Sequence, residues 1–335
     1  MLGLIIALVG TVGCMGTVST AAASADLKGA GSSLVAPLMA NWISGFEAHT
    51  NGAVKVTYGS VGSGAGIAQI TARTVDFGAS DAPLTPEQAA ACNGCVQIPW
   101  ALTATGLGFH LKGVKKLNLS GSVVAGIYLG RITKWNDRKI KALNPGVHLP
   151  GTPITPVFRS DGSGDTYAFT NYLSKVSGGW KKNIGFSTTV AFPAGVGGKG
   201  NVGVTSVVQS TNGAIGYISA SYIVAAGLKA AALKNEAGKF TYPNLKNISA
   251  AAEMVKRVPG SNELHIVDPP KKYTHAYPLS TFTYCIVPHA APKKGELSQF
   301  ILYNMTTGQK YGPALDFAPM PKVVLKAARS TLAGL

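Results

Sequence analysis

An α/β fold in two lobes is what this sequence predicts, on three observations. One strand–turn–helix unit with a Gly/Ser-rich turn runs from Val54 to Arg73. A second, built the same way, runs from Ile154 to Lys175. The chain of 335 residues, 46% apolar and 13% charged, is long and apolar enough to bury a core in two domains.

In the first unit, Val54 to Tyr58 alternates apolar and polar residues as a half-buried strand does. Gly59 to Gly66 forms the turn, and Ile67 to Arg73 continues as a helix. In the second, Ile154 to Arg159 reads as a strand and Ser160-Asp161-Gly162-Ser163-Gly164 as a turn. Asp165 to Lys175 then reads as an amphipathic helix carrying Tyr167, Phe169 and Leu173. Each turn has a physical use. Glycines let backbone approach a ligand, and the first N–H groups of a helix lack partners, so anions bind there.

A third glycine cluster, Gly195-Val196-Gly197-Gly198-Lys199-Gly200, formally fits G-x-G-x-x-G, but Phe192-Pro193 replaces the clean strand that should precede it. No acidic residue follows at the distance needed for a ribose hydroxyl, and Lys199 is followed by Gly200 rather than Ser or Thr. It reads as a structural loop.

The first 25 residues carry no charge and end in Ala23-Ser24-Ala25. They read as a secretory signal cleaved after Ala25, with an uncleaved anchor or lipid attachment at Cys14 as the alternatives. After Asp26, charges and Gly/Pro interrupt every apolar stretch, so none has membrane-spanning length. The remaining cysteines are Cys92, Cys95 and Cys285. Cys92-Asn93-Gly94-Cys95 reads as a loop with a local disulfide, and Cys285, inside the apolar run Phe282 to Val287, as a buried thiol.

Thirty Lys plus Arg against 14 Asp plus Glu give a net charge of +16, which favours anionic partners. Lysines scattered in pairs, without a zinc-finger spacing or an aromatic RNA-binding signature, argue against nucleic acid. Enzyme chemistry finds little support. Val61 breaks the G-x-S-x-G frame around Ser63, and no two of the six histidines have metal-ligand spacing. No cofactor, metal or catalytic residue is expected.

The motifs Gly29-Ala30-Gly31-Ser32-Ser33, Gly62-Ser63-Gly64, Val75-Asp76-Phe77-Gly78-Ala79-Ser80-Asp81 and Arg159 to Gly164 occur in this order. Ile127-Tyr128-Leu129-Gly130, Lys134-Trp135-Asn136-Asp137, Gly197 to Asn201 and Gly213-Ala214-Ile215-Gly216-Tyr217 extend the pattern. Together they resemble the phosphate-binding proteins of bacterial phosphate ABC transporters, over nearly all of the chain beyond the signal.

The resemblance implies a two-lobed periplasmic-binding-protein-like fold with a hinge and an interlobe cleft. Residues 26–110 plus 281–335 would form lobe I and residues 111–280 lobe II, with crossings near His110 and Ser280. It implies an exported monomer that captures inorganic phosphate and passes it to the permease subunits of an ABC importer. Sulfate or molybdate is the alternative cargo, and an exported phosphatase or an adhesin the alternative class.

Residue by residue, the resemblance assigns Ser33, the Leu34 backbone, Ser63 and Asp81 to one wall, and Arg159, Ser163 and Gly164 to the other. Hydroxyls and helix N–H groups solvate an oxyanion, and Arg159 adds a forked, charge-assisted pair oriented by Asp161. Asp81 accepts the protons that phosphate carries and sulfate lacks. Asp165 stands where the family usually has Thr. Two readings are open for it: a helix-start residue offering only its backbone N–H, or a second acceptor facing the ligand.

Overall fold

The computed structural model describes residues 25–335. The signal segment and Cys14, and with them the question of anchoring, lie outside the described residues. Among those described, no helix is long and apolar enough to cross a membrane.

In chain order the strands are β1 (Ala25–Gly31), β2 (Val54–Ser60), β3 (Phe77–Ser80), β4 (Cys95–His110), β5 (Asn118–Leu119) and β6 (Thr155–Arg159). They continue as β7 (Val196–Gly198), β8 (Ala214–Ser219), β9 (Lys229–Lys234), β10 (Phe240–Thr241) and β11 (Ser280–Pro288). They join in the order β2-β1-β3-β11-β4-β8-β6-β7, with β9 pairing off this path to β4, β5 and β10.

The alternation at Val54 to Tyr58 is realised, since Val54 and Val56 are buried while Lys55 and Thr57 are exposed. Every residue of β11 is buried, which is why Phe282 to Val287 reads as an unbroken apolar run, with Cys285 inside it as a free thiol. The helix of the first strand–turn–helix unit starts earlier than its periodicity suggests, at Ser63, so the second half of the glycine-rich turn is already helical. Gly66 makes this possible, because a Cβ there would lie 2.4 Å from the Gly31 Cα at the end of β1.

β4 binds the two halves of the molecule. It pairs antiparallel with β11 from Cys95↔Pro288 to Ala104↔Ser280, then with β8 from Thr105↔Ser219 to His110↔Ala214. The passage between sheets thus falls between Ala104 and Thr105, ahead of the His110 boundary that the sequence suggests. One continuous strand serves both sheets without a turn, and Gly106, just past the crossing, lies inside that strand. The return passage lies at Leu279 and Ser280, and the Thr105 N–H donates to the Leu279 carbonyl at 2.9 Å.

Two main clusters form the core, and the larger one continues across the crossing through Leu102, Phe282 and Tyr284. Trp42, Phe46, Phe77, Trp100 and Phe300 pack together on the β1–β3 side. On the other side, Phe169 of the helix Gly164–Val176 packs on Tyr128 and Tyr217, with Phe192 beside Tyr217. Each buried aromatic contributes roughly 1.5–3 kcal/mol.

Candidate functional site

Strand ends and helix starts from both halves converge on the seam between them. β1 ends at Gly31 and delivers Ser32, Ser33 and Leu34; β3 ends at Ser80 and delivers Asp81; the helix Ser63–Thr71 begins there. From the other half, β6 ends at Arg159 and Ser163 caps the helix Gly164–Val176, its hydroxyl accepting from the Thr166 N–H at 3.3 Å. Parallel strands that all point their carboxyl ends at one crevice are the usual ligand-binding arrangement of open α/β sheets.

All eight residues named from the sequence are buried at or beside the seam. They form two connected groups. In the first, the Ser32 hydroxyl donates to Asp81 at 2.6 Å and the Ser63 hydroxyl to Asp81 Oδ2 at 3.3 Å. The Gly164 N–H, from across the seam, donates to Ser63 Oγ at 3.1 Å. The Leu34 N–H donates to Ser32 Oγ at 3.0 Å, within its own half.

In the second group, Arg159 donates through Nε to Asp161 Oδ1 at 2.8 Å and through Nη1 to Asp165 Oδ2 at 2.9 Å. Asp165 does not turn away from the seam. Its carboxylate is wholly buried and also accepts from Thr105 Oγ1 and Asn201 Nδ2, both at 2.7 Å. Ser33 Oγ accepts from the Asn201 side chain and backbone at 3.1 Å each.

Three carboxylates therefore face one guanidinium, and their environments differ. Burial, reinforced by the negative charge of Asp165, pushes the Asp81 carboxyl up to about 7. Burial also raises Asp165, against the pull of Arg159. For Asp161, burial is outweighed by the hydrogen bond and charge of Arg159, which hold its carboxyl below the ordinary value. Such an array can hold a protonated oxyanion: hydroxyls, helix N–H groups and a guanidinium donate, while Asp81 is poised to share a proton.

The walls touch directly. The Gly64 N–H donates to the Gly162 carbonyl at 3.0 Å, and a Cβ on Gly164 would lie 2.4 Å from the Asp81 Cβ. Only glycines allow backbones to meet this closely.

Four contributors have no site role in the sequence reading: Ser32, Thr105, Asn201 and Tyr217, whose hydroxyl accepts from the Arg159 N–H at 2.8 Å. Asn201 corrects the reading of Gly195 to Gly200 as purely structural. β7 pairs in parallel with β6, matching Arg159 to Gly198. That register brings Asn201 beside Arg159, and the Gly200 N–H donates to Asp161 at 2.9 Å. Away from the site, the Cys92–Cys95 turn is closed by a disulfide.

Comparison with known proteins agrees with this architecture. The sequence profile described as a PBP superfamily domain matches residues 16–306. The phosphate-binding protein PstS of Xylella fastidiosa is 39% identical over 309 residues, covering 90% of this chain and 84% of that protein. The phosphate-binding protein PstS of Haemophilus influenzae is 36% identical over 322 residues, covering 94% and 95%. In three dimensions, the high-affinity periplasmic phosphate-binding protein PfluDING, solved with phosphate at pH 8.5, matches with a TM-score of 0.73. It covers 91% of this chain and 93% of its own at 22% identity, a likeness of fold. With the profile matching most of the chain and two such relatives aligned along most of its length, the chain belongs to the PstS phosphate-binding proteins of the PBP superfamily.

Proposed function

We propose that this chain captures inorganic phosphate between its lobes outside the cytoplasm and delivers it to the membrane subunits of an ABC-type importer. The observation that carries the reading is Asp81, a buried carboxylate hydrogen-bonded by Ser32 and Ser63 and facing Arg159 and the Gly164 helix start. A carboxylate repels a bare anion, but it accepts a proton from one that still carries it. Sulfate has none to give at neutral pH, and a site built around such an acceptor can reject an analogue lacking the donor by about 10⁴ to 10⁵.

In this reading Ser33, Ser63, Asp81 and the Leu34 backbone form one wall, and Arg159, Ser163, Gly164 and Asp165 the other. The lobes hinge where β4 and the Leu279–Ser280 passage cross between sheets, and closure brings Gly64 against Gly162. The chain acts by binding and release, without catalysis. The uncharged leading segment supports export, and PstS relatives support a permease as the receiving partner.

Calorimetric titration of the protein with phosphate, arsenate and sulfate tests the proposal. Heat with phosphate and none with sulfate is the expected result. Absence of heat with phosphate overturns it.

A further inference from the structure

The turn joining Cys92 to Cys95 lies outside the anion site, and its tip, Asn93 and Gly94, faces solvent. Arg73 reaches it from just beyond the helix Ser63–Thr71, with a backbone φ of +58° that few non-glycine residues adopt. Its Nη1 lies 3.3 Å from the Sγ atoms of both cysteines. Its Nη2 donates to the carbonyls of Cys92 at 2.7 Å and Asn93 at 3.2 Å. Nη1 also donates to the Ile70 carbonyl at 2.6 Å.

Among the described residues, the ion pairs involve Lys55, Arg159, His265 and Lys293, and none involves Arg73. Its charge is turned onto the sulfurs and onto carbonyl oxygens that would otherwise repel a thiolate. The two sulfurs differ in access. Cys92 is 1% exposed, whereas Cys95 is half-buried and lines a groove of about 260 Å³ with Leu84, Pro86, Gln97, Ser261 and Asn262.

We propose that Cys92, Cys95 and Arg73 form a thiol–disulfide exchange site for small thiols, entered at Cys95. A thiolate attacks Cys95 Sγ from the groove and forms a mixed disulfide with it. The Cys92–Cys95 bond breaks, and Cys92 leaves as a thiolate beside the Arg73 guanidinium. A second thiolate attacks the sulfur of the bound small thiol, releasing the oxidised thiol dimer and the Cys95 thiolate. Two small thiols are oxidised and one disulfide is reduced; the thiolates take their protons from solvent. A cation in contact with the departing sulfur lowers the cost of that departure and favours the reduced pair.

To test this, the whole protein is equilibrated in glutathione redox buffers and quenched by denaturing alkylation. The peptide holding Cys92 and Cys95 is then read by mass spectrometry, which separates it from buried Cys285. Arg73→Gln is expected to shift the balance about tenfold toward the disulfide, or about 30 mV for a two-electron couple, and to slow its opening. Arg73→Lys should restore most of both. Phosphate titration and melting of the oxidised variants report whether the fold is kept. An unchanged midpoint in a folded Arg73→Gln protein leaves Arg73 a structural cap and overturns the proposal. Mapping the first glutathione adduct on the wild-type protein needs no variant: adduct on Cys95 is expected, and adduct on Cys92 overturns the assignment.

Discussion

The Arg159 guanidinium is shared by Asp161 and Asp165, whose carboxylates lie 2.8 Å from Nε and 2.9 Å from Nη1. The pairing fixes the plane of the guanidinium and, with it, the direction in which it meets a ligand. Arg159 is 5% exposed and Asp165 is fully buried, so the charges are held where solvent screens them little.

Replacing Arg159 with Ala removes the cation common to the site. Phosphate affinity is expected to fall by about 2–5 kcal/mol, the usual range for deleting one partner of a buried charge pair. The protein should lose fold stability as well, because Asp165 is left buried and unpaired. Calorimetry and urea unfolding measure the two effects separately. Near-wild-type affinity in a folded variant would remove Arg159 from the site.

Asp81 predicts a pH dependence of stability in the absence of phosphate. Burial and Asp165 raise its carboxyl from 3.8 to about 7, so between those values the folded state holds a proton that the unfolded chain has released. Stability then falls as pH rises through this window, the reverse of a carboxylate held low by a salt bridge. Urea unfolding from pH 4 to about 8 should show this decline in the wild type and a flatter profile in Asp81→Asn. Equal slopes would contradict the assignment.

Gly164→Ala separates closure from folding. A Cβ there lies 2.4 Å from the Asp81 Cβ, so the seam cannot shut without displacement. Overpacking of this kind costs about 1–3 kcal/mol, which weakens phosphate binding by about 5- to 150-fold. Gly164 opens a helix, where Ala is at least as favourable, so unfolding stability should hold or rise. Small-angle scattering should show compaction on adding phosphate to the wild type and less in the variant.

Local chemistry explains what was legible in the sequence. The alternation at Val54 to Tyr58 and the Arg159 to Gly164 turn are set by residues adjacent in the chain, so periodicity and glycine placement reveal them. Asn201 is different: it reaches Asp165 and Ser33 only through the parallel register of β6 and β7, which pairs residues some forty positions apart. Thr105 is hidden for a related reason, since it lies within the unbroken strand that serves both sheets. Ser32 and Ser33 are neighbours, and the backbone path decides that the former bonds Asp81 while the latter bonds Asn201. The signals for Asn201 are its place directly after the glycine cluster, at the start of a helix, and its membership of the Gly197 to Asn201 motif.

Asp165 gives the sharpest test of how phosphate is recognised here. Its Oδ1 accepts from Thr105, and its Oδ2 from Arg159 and Asn201, so it occupies donors that a Thr at this position would leave to the ligand. The groups around it are Arg159, Asp161 and Asp81, with Tyr217 and Tyr222 nearby, and among these Arg159 is the cation. Each added negative charge meets three carboxylates. The doubly charged form of phosphate adds two charges and keeps one proton; the singly charged form adds one and keeps two protons, one for Asp81 and one that Asp165 can accept. Affinity for total phosphate should therefore fall as pH rises through neutrality, and fall more steeply in the wild type than in Asp165→Thr. The gap between the two proteins is expected to widen by about tenfold from the acidic to the alkaline arm, equivalent to about 1.4 kcal/mol. Titrations in both proteins across that range decide the matter. Parallel profiles would show that Asp165 serves only to anchor Arg159, and that the choice between phosphate's ionisation states is left to Asp81 alone.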